Sequence, residues 1–595
     1  MTTGGAEPEG RRRRPWGFLT DRRTPWTLPL VIILIIGVVA IIDHLGSRQI
    51  SNVDQPQASG LTAVAGGTAS VHLQAPWSGF NPNTPEGAAS STPTLLDQVL
   101  PSAYVFNAKL VPVVNADLLL SVEATSTAPL TIVYTLNPKA TWSDGVPVTA
   151  DDFVYAWTAQ RGDGVDVDGK ATRVASTLGY RDVASVSGSE GGRVVTVVFQ
   201  TPFTDWRILF DHMVPAHVAA TVGWNSGFAT FNPAVDISAG PFRLAAVTPN
   251  GVANLGRNPL WWGAKAPLAG ITVTGGIGGG ADLLSGSVST SAAQTDVFGP
   301  EVLAAVSSQP SAQSALHASL GMASLEFDMR SPLTSIVAVR QALAHLVDRS
   351  ALLAHVVGSI DPTIVPNDDH LAVAGQVSYT ASSAAGEYDQ RDPEVAARLL
   401  RSAGFTRDTN GSWVDPKGIP LTVRFAVESG NSWLISAAYG LVEQLQSGGV
   451  HVALSVVDGT SGLRVASAAG AFDLALVLRQ SSPFQTVTQG WYSPPPVHAG
   501  PEDAQNWSRF DDPQVEQLFA KAATVLNPVT GGEVYAQIDD QLWDQMVALP
   551  LFGLPGLVAS GVNLSGVAYN PTIDGLLWNS NSWSRLEQPP AATSG

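Results

Sequence analysis

The chain has 595 residues, of which 45% are hydrophobic and 14% charged, so it is long enough for more than one core and too apolar for general disorder. Its formal net charge is −18, with 50 acidic and 32 basic residues, and this charge would repel phosphate backbones. We therefore expect no nucleic-acid partner. The sequence contains no cysteine, which excludes disulfides, thiolate metal sites and cysteine-linked lipids within it.

An apolar run near the start of the chain follows two groups of arginines. The arginines stand at 11–14 and 22–23, and the run extends from Trp26 to Ile42. Positive charge before an apolar run orients the start toward the cytoplasm and the rest outward. We expect a cytoplasmic basic tail at 1–25 and, at 26–45, a single-pass membrane anchor or uncleaved signal, with the main domain extracytoplasmic. A cleaved signal peptide is the alternative, because the run is shorter than a full span.

The segment that follows is predicted to be a flexible tether over residues 46–70. It is rich in Ser, Gly, Ala, Gln and Thr and shows no hydrophobic periodicity. Such a segment would hold the folded body away from the membrane.

The first strong element signals lie between residues 131 and 157. Thr131–Leu136 is typical of a strand, and Asp144–Gly145 is a tight-turn signal. Thr149 and Asp152 stand at the spacing of a capping box, which predicts the start of a helix. This segment therefore predicts a strand, a turn and a capped helix in succession.

Similar signals recur toward the end of the chain. Asp392–Pro393 and Asp512–Pro513 each predict a capped helix with proline in its first turn. Runs such as Leu421–Phe425 and Phe472–Leu478 are typical of strands and alternate with helical stretches. We expect the mixed α/β class.

Three patterns resemble cofactor or metal motifs. Gly276–Ala281, with Asp296 further on, resembles a dinucleotide-binding loop, but the Ser/Gly-rich stretch after it favours a flexible connection. Asp163, Asp166 and Asp168 resemble part of a calcium loop, although glycine and alanine stand at two of its ligand positions, and an acidic surface loop is favoured.

The third pattern is the pair His212 and His217. They flank Pro215 without a third ligand nearby in sequence, so solvated or core histidines are expected. From these patterns we expect no enzyme, no catalytic residue, no cofactor and no metal site.

Several separated segments resemble the family 5 extracellular solute-binding proteins, the peptide- and nickel-binding class that serves ABC importers. They are Ala140–Phe153, Ser238–Leu244, Arg257–Gly263 and Val339–Arg349. The sequences of Asn137–Asp144 and Asn258–Gly263 are especially similar to an actinobacterial branch of the family, part of which is tied to envelope glycolipid assembly. The segments are predicted to be scaffold rather than ligand contacts.

The resemblance implies a two-lobed periplasmic-binding-protein-like fold with an extra subdomain (cluster C type), preceded by the N-terminal transmembrane helix. Lobe I is expected at 71–323 with an inserted subdomain at about 90–215, and lobe II at 324–549. Residues 550–595 would return to lobe I and form the C-terminal tail. The chain would leave the first lobe near Ser324 and return near Pro550.

The resemblance also implies a function, which is binding an oligopeptide or another medium-sized solute in the cleft between the lobes. In peptide binders of this family a strand like Phe472–Leu478 leads into a Trp-x-x-Asp segment that receives the peptide amino terminus. Here Arg479–Ser482 reads Arg-Gln-Ser-Ser, so a free-amine peptide is doubtful and Arg479 suggests a carboxylate, phosphate or sugar-hydroxyl partner. The candidate ligand-binding residues are Phe80, Asn81, Arg479, Gln480, Ser482, Phe484, Trp491 and Tyr492.

The expected partners are the solute, the ABC permease subunits and, through the N-terminal helix, the membrane, with the protein itself a monomer. The alternative is a cell-envelope scaffold or regulator that uses the same fold to bind a glycolipid or a partner protein.

Overall fold

The computed structural model describes residues 61–588, apart from 108, 277–287, 297, 359, 362 and 495–504. The predicted basic tail and anchor, residues 46–60 of the predicted tether and the glycine-rich segment after Gly276 lie outside the described residues. Within the described part, no helix is long and apolar enough to cross a membrane.

The largest element is a mixed sheet of ten strands in the described part of the chain. In spatial order, its strands are His451–Val457, Thr422–Glu428, Leu474–Gln480, Ala312–Phe327, Ala548–Gly561, Ser291–Thr295, Thr68–Leu73, Gly270–Gly275, Val252–Arg257 and Phe242–Val247. Both parallel and antiparallel pairs occur in it. The predicted α/β class is thereby confirmed.

Two long strands at the centre of this sheet, Ala312–Phe327 and Ala548–Gly561, run antiparallel and are called the crossing strands. Their register pairs Ser324 with Pro550. Proline has no backbone N–H to donate to a neighbouring strand. It is tolerated at this position because the register shifts between Ala323 and Ser324, which interrupts the regular hydrogen-bond pattern. The crossing strands connect the two halves of the sheet.

Smaller sheets flank the large one. A four-stranded sheet contains, in spatial order, Leu119–Thr127, Leu130–Leu136, Val194–Phe199 and Val183–Ser189. A three-stranded sheet contains Thr62–Val64, Ser584–Glu587 and Leu564–Ser565. Two further two-stranded sheets pair Tyr104–Phe106 with Pro112–Val114 and Thr406–Arg407 with Trp413–Val414. Among the described residues the first strand begins at Thr62, inside the segment predicted to be a tether. The pairing of Thr62 with Glu587 explains the difference, since contacts between chain ends leave no local signal.

The helices pack on the faces of these sheets. The α-helices are Pro85–Ala88, Thr92–Leu96, Ala150–Gln160, Ala216–Val222, Pro300–Ser307, Val337–His345, Arg349–Val356, Pro393–Ser402, Ser432–Ser447, Gly459–Ala468, Pro513–Thr524 and Pro528–Asp544. Short 3₁₀ turns occupy Tyr180–Asp182, Glu190–Gly192, Trp206–Ile208, Val288–Thr290, Ala385–Tyr388, Gln485–Trp491 and Gly575–Ser582.

The predicted helix starts agree with the structure. Thr149 and Asp152 form the capping box of Ala150–Gln160, and the side chains of Asp392 and Asp512 cap their helices. Each cap supplies an acceptor for amides that have no partner within the helix. Local signals thus sufficed for these elements.

The segment Val339–Arg349, which the family resemblance treats as one helix, contains a break. Val337–His345 and Arg349–Val356 are separate helices, and the Asp348 side chain accepts the amide N–H of Ala351 as the N-cap of the second. Arg340 donates to the backbone oxygens of Thr334, Gln545 and Met546, as a scaffold residue should.

The buried residues form two large cores. The first core draws on residues 69–292 and 558–583, and the second core draws on residues 298–557. A smaller third core, drawn from residues 322–548, lies around Met322, Tyr492 and Phe519. The crossing strands contribute residues to both large cores and so connect them.

Candidate functional site

A cavity of about 280 Å³ lies between segments that belong to different cores, and we call it the central cavity. One wall comes from residues 104–106 and 207–211, next to first-core residues. The opposite wall comes from residues 480–487, which follow a strand of the second core, and residues 571–573 close it. The lining residues are Tyr104, Phe106, Arg207, Ile208, Leu209, Asp211, Leu320, Gln480, Ser481, Ser482, Pro483, Phe484, Val487, Pro571, Thr572 and Ile573.

The lining combines an apolar surface with a few polar groups. The rings of Phe106 and Phe484 meet across the cavity with their centroids 5.6 Å apart. Arg207 packs its guanidinium over Trp206, 4.5 Å from the ring centroid. An apolar pocket with a small number of placed polar groups is typical of small-molecule binding sites.

Direct hydrogen bonds hold the two walls together. The Thr486 N–H and hydroxyl both donate to Oδ2 of Asp205, at 3.0 and 2.7 Å. Outside the two walls, the Thr204 N–H donates to the carbonyl of Ala523, in the helix Pro513–Thr524, at 2.8 Å. Burial raises the pKa of Asp205, and the bonds from Thr486 oppose that rise. The described conformation is therefore one in which the walls are in contact.

Three of the candidate ligand-binding residues, Gln480, Ser482 and Phe484, line the central cavity. Gln480 is exposed, and its side chain lies within hydrogen-bond distance of the Pro571 carbonyl, at 3.4 Å. The Ser482 hydroxyl accepts the N–H of Phe484 at 3.1 Å, which shapes the turn between them.

Three others, Arg479, Trp491 and Tyr492, meet one another behind the cavity wall. Arg479 is 2% exposed, and its Nε donates to Oε1 of Glu326 at 3.0 Å. Its guanidinium carbon lies 5.2 Å from the Trp491 ring centroid and 5.4 Å from that of Tyr492. The arginine charge is thus balanced inside the protein.

The remaining two, Phe80 and Asn81, lie in the first core. Phe80 packs edge-on against Phe231 at 6.0 Å, and Asn81 is buried with its side-chain amide donating to the Trp224 carbonyl at 3.2 Å. The structure does not bring them to the central cavity.

A second cavity of about 170 Å³ adjoins the central cavity and shares Ile208, Asp211 and Ile573 with it. His212, one of its lining residues, is buried and has Nδ1 2.8 Å from Oδ2 of Asp211. Asp97 and Asp574 lie close to the same imidazole. We call these four residues the Asp–His cluster.

Burial and mutual charge shift the pKa values of the Asp–His cluster strongly. Burial raises the pKa of Asp97 to about 6. Burial also raises the pKa of Asp574 well above its ordinary value, and the negative charges of Asp97 and Asp211 add to that rise. Burial alone would lower the pKa of His212, but the neighbouring carboxylates raise it to about 10. Burial opposes ionisation of Asp211, yet His212 lowers its pKa.

The other acidic motifs take structural roles. Asp166 accepts the amides of Val167, Trp224 and Asn225, so it fixes a loop rather than facing an open ligand position. Asp296 accepts the hydroxyl of Tyr569 at 2.5 Å.

Sequence reasoning did not identify Phe106, Asp205, Arg207 or Ile573 as part of the site. No motif surrounds them. Phe106, Arg207 and Ile573 line the central cavity, and Asp205 binds Thr486 beside it, only because distant segments fold together. The single available signal is the strand Phe472–Leu478, which locates the wall formed by residues 480–487.

Residues 113–497 match the family described as bacterial extracellular solute-binding proteins, family 5. The oligopeptide-binding protein OppA of Mycobacterium tuberculosis (strain H37Rv) is 27% identical over 492 residues, covering 80% of this chain and 78% of OppA. The probable monoacyl phosphatidylinositol tetramannoside-binding protein LpqW of the same strain is 28% identical over 369 residues, 59% of this chain and 54% of LpqW. A solved structure of the periplasmic EDTA-binding protein EppA shares the fold with a TM-score of 0.81 at 23% identity, covering 91% of this chain and 99% of EppA.

Proposed function

Because the chain belongs to the bacterial extracellular solute-binding proteins of family 5, we propose that it captures a solute outside the cytoplasm in the central cavity and delivers it to an ABC importer. The family is one of binding proteins, and no catalytic family is indicated. The observation that carries the proposal is the position of the central cavity, which is enclosed by segments of both large cores.

The solute class follows from the cavity wall. Its described residues supply one cationic side chain, Arg207, and one anionic side chain, Asp211, among many apolar ones. The Asp211 carboxylate already accepts the Ser102 hydroxyl at 2.7 Å and contacts His212. We infer an oligopeptide or another medium-sized solute that combines an apolar part with a few hydrogen-bonding groups.

A free peptide amino terminus is disfavoured at residues 479–482. No carboxylate stands in that segment, and the Ser482 hydroxyl is engaged with the Phe484 amide. The Arg479 side chain is also unavailable to a ligand, because it forms an ion pair with Glu326 behind the cavity wall. Recognition at this position therefore rests on neutral groups such as the Gln480 amide, and a peptide ligand would bind mainly through its backbone and apolar side chains.

The arrangement of the chain follows the same proposal. Two lobes, at 71–323 with 550–588 and at 324–549, would separate and close about the crossing strands, and the Asp205–Thr486 contact would stabilise the closed state.

Residues 26–45 would anchor the protein to the cell membrane with its start in the cytoplasm. Protease treatment of intact cells tests the anchor: cleavage of the main domain should leave a small membrane-bound N-terminal fragment, whereas release of the whole chain without a fragment contradicts it.

A second function is a cell-envelope scaffold or regulator that binds a glycolipid. The similarity to LpqW, whose name describes a glycolipid-binding protein, supports it, together with the lack of a carboxylate at 479–482. Crosslinking in living cells separates the two functions. Capture of permease subunits favours the importer, and capture of glycolipid or envelope proteins without permease favours the scaffold.

The importer function is tested by deleting the gene and measuring the uptake of defined peptide pools. We expect a subset of peptides, rich in apolar side chains, to lose uptake and to regain it when the gene is restored. Unchanged uptake of every pool, together with no solute in the purified protein, would rule the proposal out.

A further inference from the structure

One buried imidazole and two buried carboxylates from distant parts of the chain converge beside the second cavity. Asp97 follows the helix Thr92–Leu96, His212 lies in the loop before Ala216–Val222, and Asp574 lies in the returning segment near the end of the chain. One ligand atom from each of these three residues lies within 4.8 Å of the other two. Nε2 of His212 is 3.9 Å from Oδ1 of Asp97.

His212 provides the observation that points to a ligand. Its side chain is 1% exposed, and Nε2 has no hydrogen-bond partner among the described residues. Nδ1 lies 2.8 Å from Oδ2 of Asp211, so the unpartnered atom is the ring nitrogen on the side of Asp97. A buried polar atom without a hydrogen bond is costly, so an unpartnered imidazole nitrogen among acids requires an explanation.

We propose that Nε2 of His212 and the carboxylates of Asp97 and Asp574 bind one divalent transition-metal cation, such as Zn²⁺ or Mn²⁺. Imidazole nitrogen and carboxylate oxygen are ligands that these ions accept together. Asp211 acts as a positioning residue, because a carboxylate against the far ring nitrogen fixes the tautomer that leaves Nε2 free to coordinate.

The spacing suits such an ion. Metal–ligand bonds of about 2.0–2.2 Å place two ligand atoms at most about 4.4 Å apart across the ion. The 3.9 Å separation of Nε2 and Oδ1 falls inside that limit, and since all three ligand atoms lie within 4.8 Å of one another, a movement of at most about half an ångström is needed. No large rearrangement is therefore required.

The charge balance also favours a cation. Asp97, Asp211 and Asp574 bring three carboxyl groups together around one imidazole, and ionising all three in this largely buried place without compensation is costly. A dication supplies two positive charges at the point that the ligands share. A set of three acids around one unpartnered ring nitrogen therefore suits a dication.

The second cavity gives the ion a route and a consequence. His212, Asp211 and Ile573 line this cavity of about 170 Å³, so a small hydrated ion could reach the ligands and keep a water ligand. Once bound, the ion would crosslink Asp97 to Asp574, which are far apart in sequence. Because Asp211 and Ile573 also line the central cavity, the ion would stiffen the wall that faces the solute.

The test uses the full-length protein, purified without a metal-binding tag and treated with a chelator. ZnCl₂, MnCl₂ and MgCl₂ are titrated separately by calorimetry, and bound metal is counted by elemental mass spectrometry. We expect one Zn²⁺ or Mn²⁺ per chain, a thermal midpoint raised by several degrees, and little response to Mg²⁺. Asp574→Asn and Asp97→Asn should weaken Zn²⁺ binding by about 100-fold or more, and Asp211→Asn by about 10–100-fold.

The matched control is Asp236→Asn, a buried aspartate outside the Asp–His cluster, which should bind Zn²⁺ like the wild type. X-ray absorption of the Zn²⁺-loaded wild type, expected to show one nitrogen and carboxylate-type oxygen ligands, keeps the test decisive if a variant misfolds. A wild type with no saturable Zn²⁺ or Mn²⁺ binding would overturn the proposal, and so would unchanged affinity in Asp574→Asn and Asp97→Asn. Solute binding is read separately, so failure of this site leaves the importer function standing.

Discussion

Arg479 and Glu326 form an ion pair inside the protein, with Nη2 2.9 Å from Oε2 and both side chains almost fully buried. The Ser324 hydroxyl, on the same crossing strand as Glu326, donates to that carboxylate at 2.9 Å. The ion pair itself links this crossing strand to the strand Leu474–Gln480. The sequence suggested that Arg479 would meet a charged ligand. In the folded protein its partner is Glu326, which explains how an arginine can follow a buried strand without facing the solute.

Arg479→Met should reduce the free energy of unfolding by about 3–5 kcal/mol, because it leaves Glu326 buried without a counter-charge. The double variant Arg479→Met/Glu326→Gln should recover about 2 kcal/mol or more, since the uncompensated charge is gone while Ser324 keeps its acceptor. Urea unfolding followed by circular dichroism measures both. A single variant of normal stability that no longer binds solute would show instead that Arg479 acts on the ligand.

Arg349 should be irreplaceable by lysine. It is fully buried, donates to the carbonyls of Asn367 and Pro550, and pairs with Asp368 and Asp389. Lysine has fewer donors and lacks the planar fork, so several acceptors would lose their partner. We expect Arg349→Lys to cost about 2–4 kcal/mol in urea unfolding.

The control for that experiment is Arg398→Lys, at an exposed position of the helix Pro393–Ser402, which should change stability by less than about 0.5 kcal/mol. Equal effects of the two substitutions would show that the buried network contributes little.

Asp236 should make stability depend on pH. Burial raises its pKa from 3.8 to about 7, although the backbone N–H of Asn232 opposes that rise by donating to the carboxylate at 2.6 Å. The folded pKa lies above the unfolded value, so this group stabilises the fold fully below about pH 4 and loses that contribution as the pH rises through about 7.

Asp236→Asn removes the ionisation and keeps an acceptor for the Asn232 amide. It should therefore match the wild type near pH 4 and exceed it at pH 8 by about 2–4 kcal/mol, as measured by urea unfolding across that range. Asp236→Ala removes the acceptor as well and should lose stability at both pH values. If Asp236→Asn leaves the pH profile unchanged, the carboxyl is ionised in the fold without cost.

The Asp205–Thr486 contact should favour the closed state. Thr486→Val keeps the shape of the side chain and removes the hydroxyl that donates to Asp205, which should weaken solute binding by about 5-fold. Thr488→Val is the matched control, since the Thr488 hydroxyl donates only to the local carbonyl of Gln485. Titration of the solute into both variants measures the effect. Equal solute affinities of Thr486→Val and Thr488→Val would mean that the Asp205–Thr486 contact does not control closure.

Local patterns predicted much of the fold. The capped helix after Thr149, the helices opened by Asp392 and Asp512, and the family itself were all readable, because caps, turns and scaffold motifs depend on neighbouring residues. Ser324 and Pro550, where the sequence predicts the crossings between lobes, are partners in the sheet. The lobe boundaries stay a prediction.

The site was less predictable. Gln480 and Phe484 follow a recognisable strand, but Phe106 and Ile573 join them from segments hundreds of residues apart. The Asp–His cluster shows the same limit. His212 has no ligand nearby in sequence, and Asp97 and Asp574 approach it only through the tertiary fold.

Native mass spectrometry of the full-length protein tests the central claim most directly. We predict that the wild type carries a co-purified or added solute at one copy per chain. Val487→Trp, which places a large ring in the central cavity, should lose that solute while staying folded. Val529→Trp, at an exposed position outside the cavity lining, should keep it. A solute retained equally by all three proteins would contradict binding in the central cavity, as would a wild type that binds none of the peptide pools.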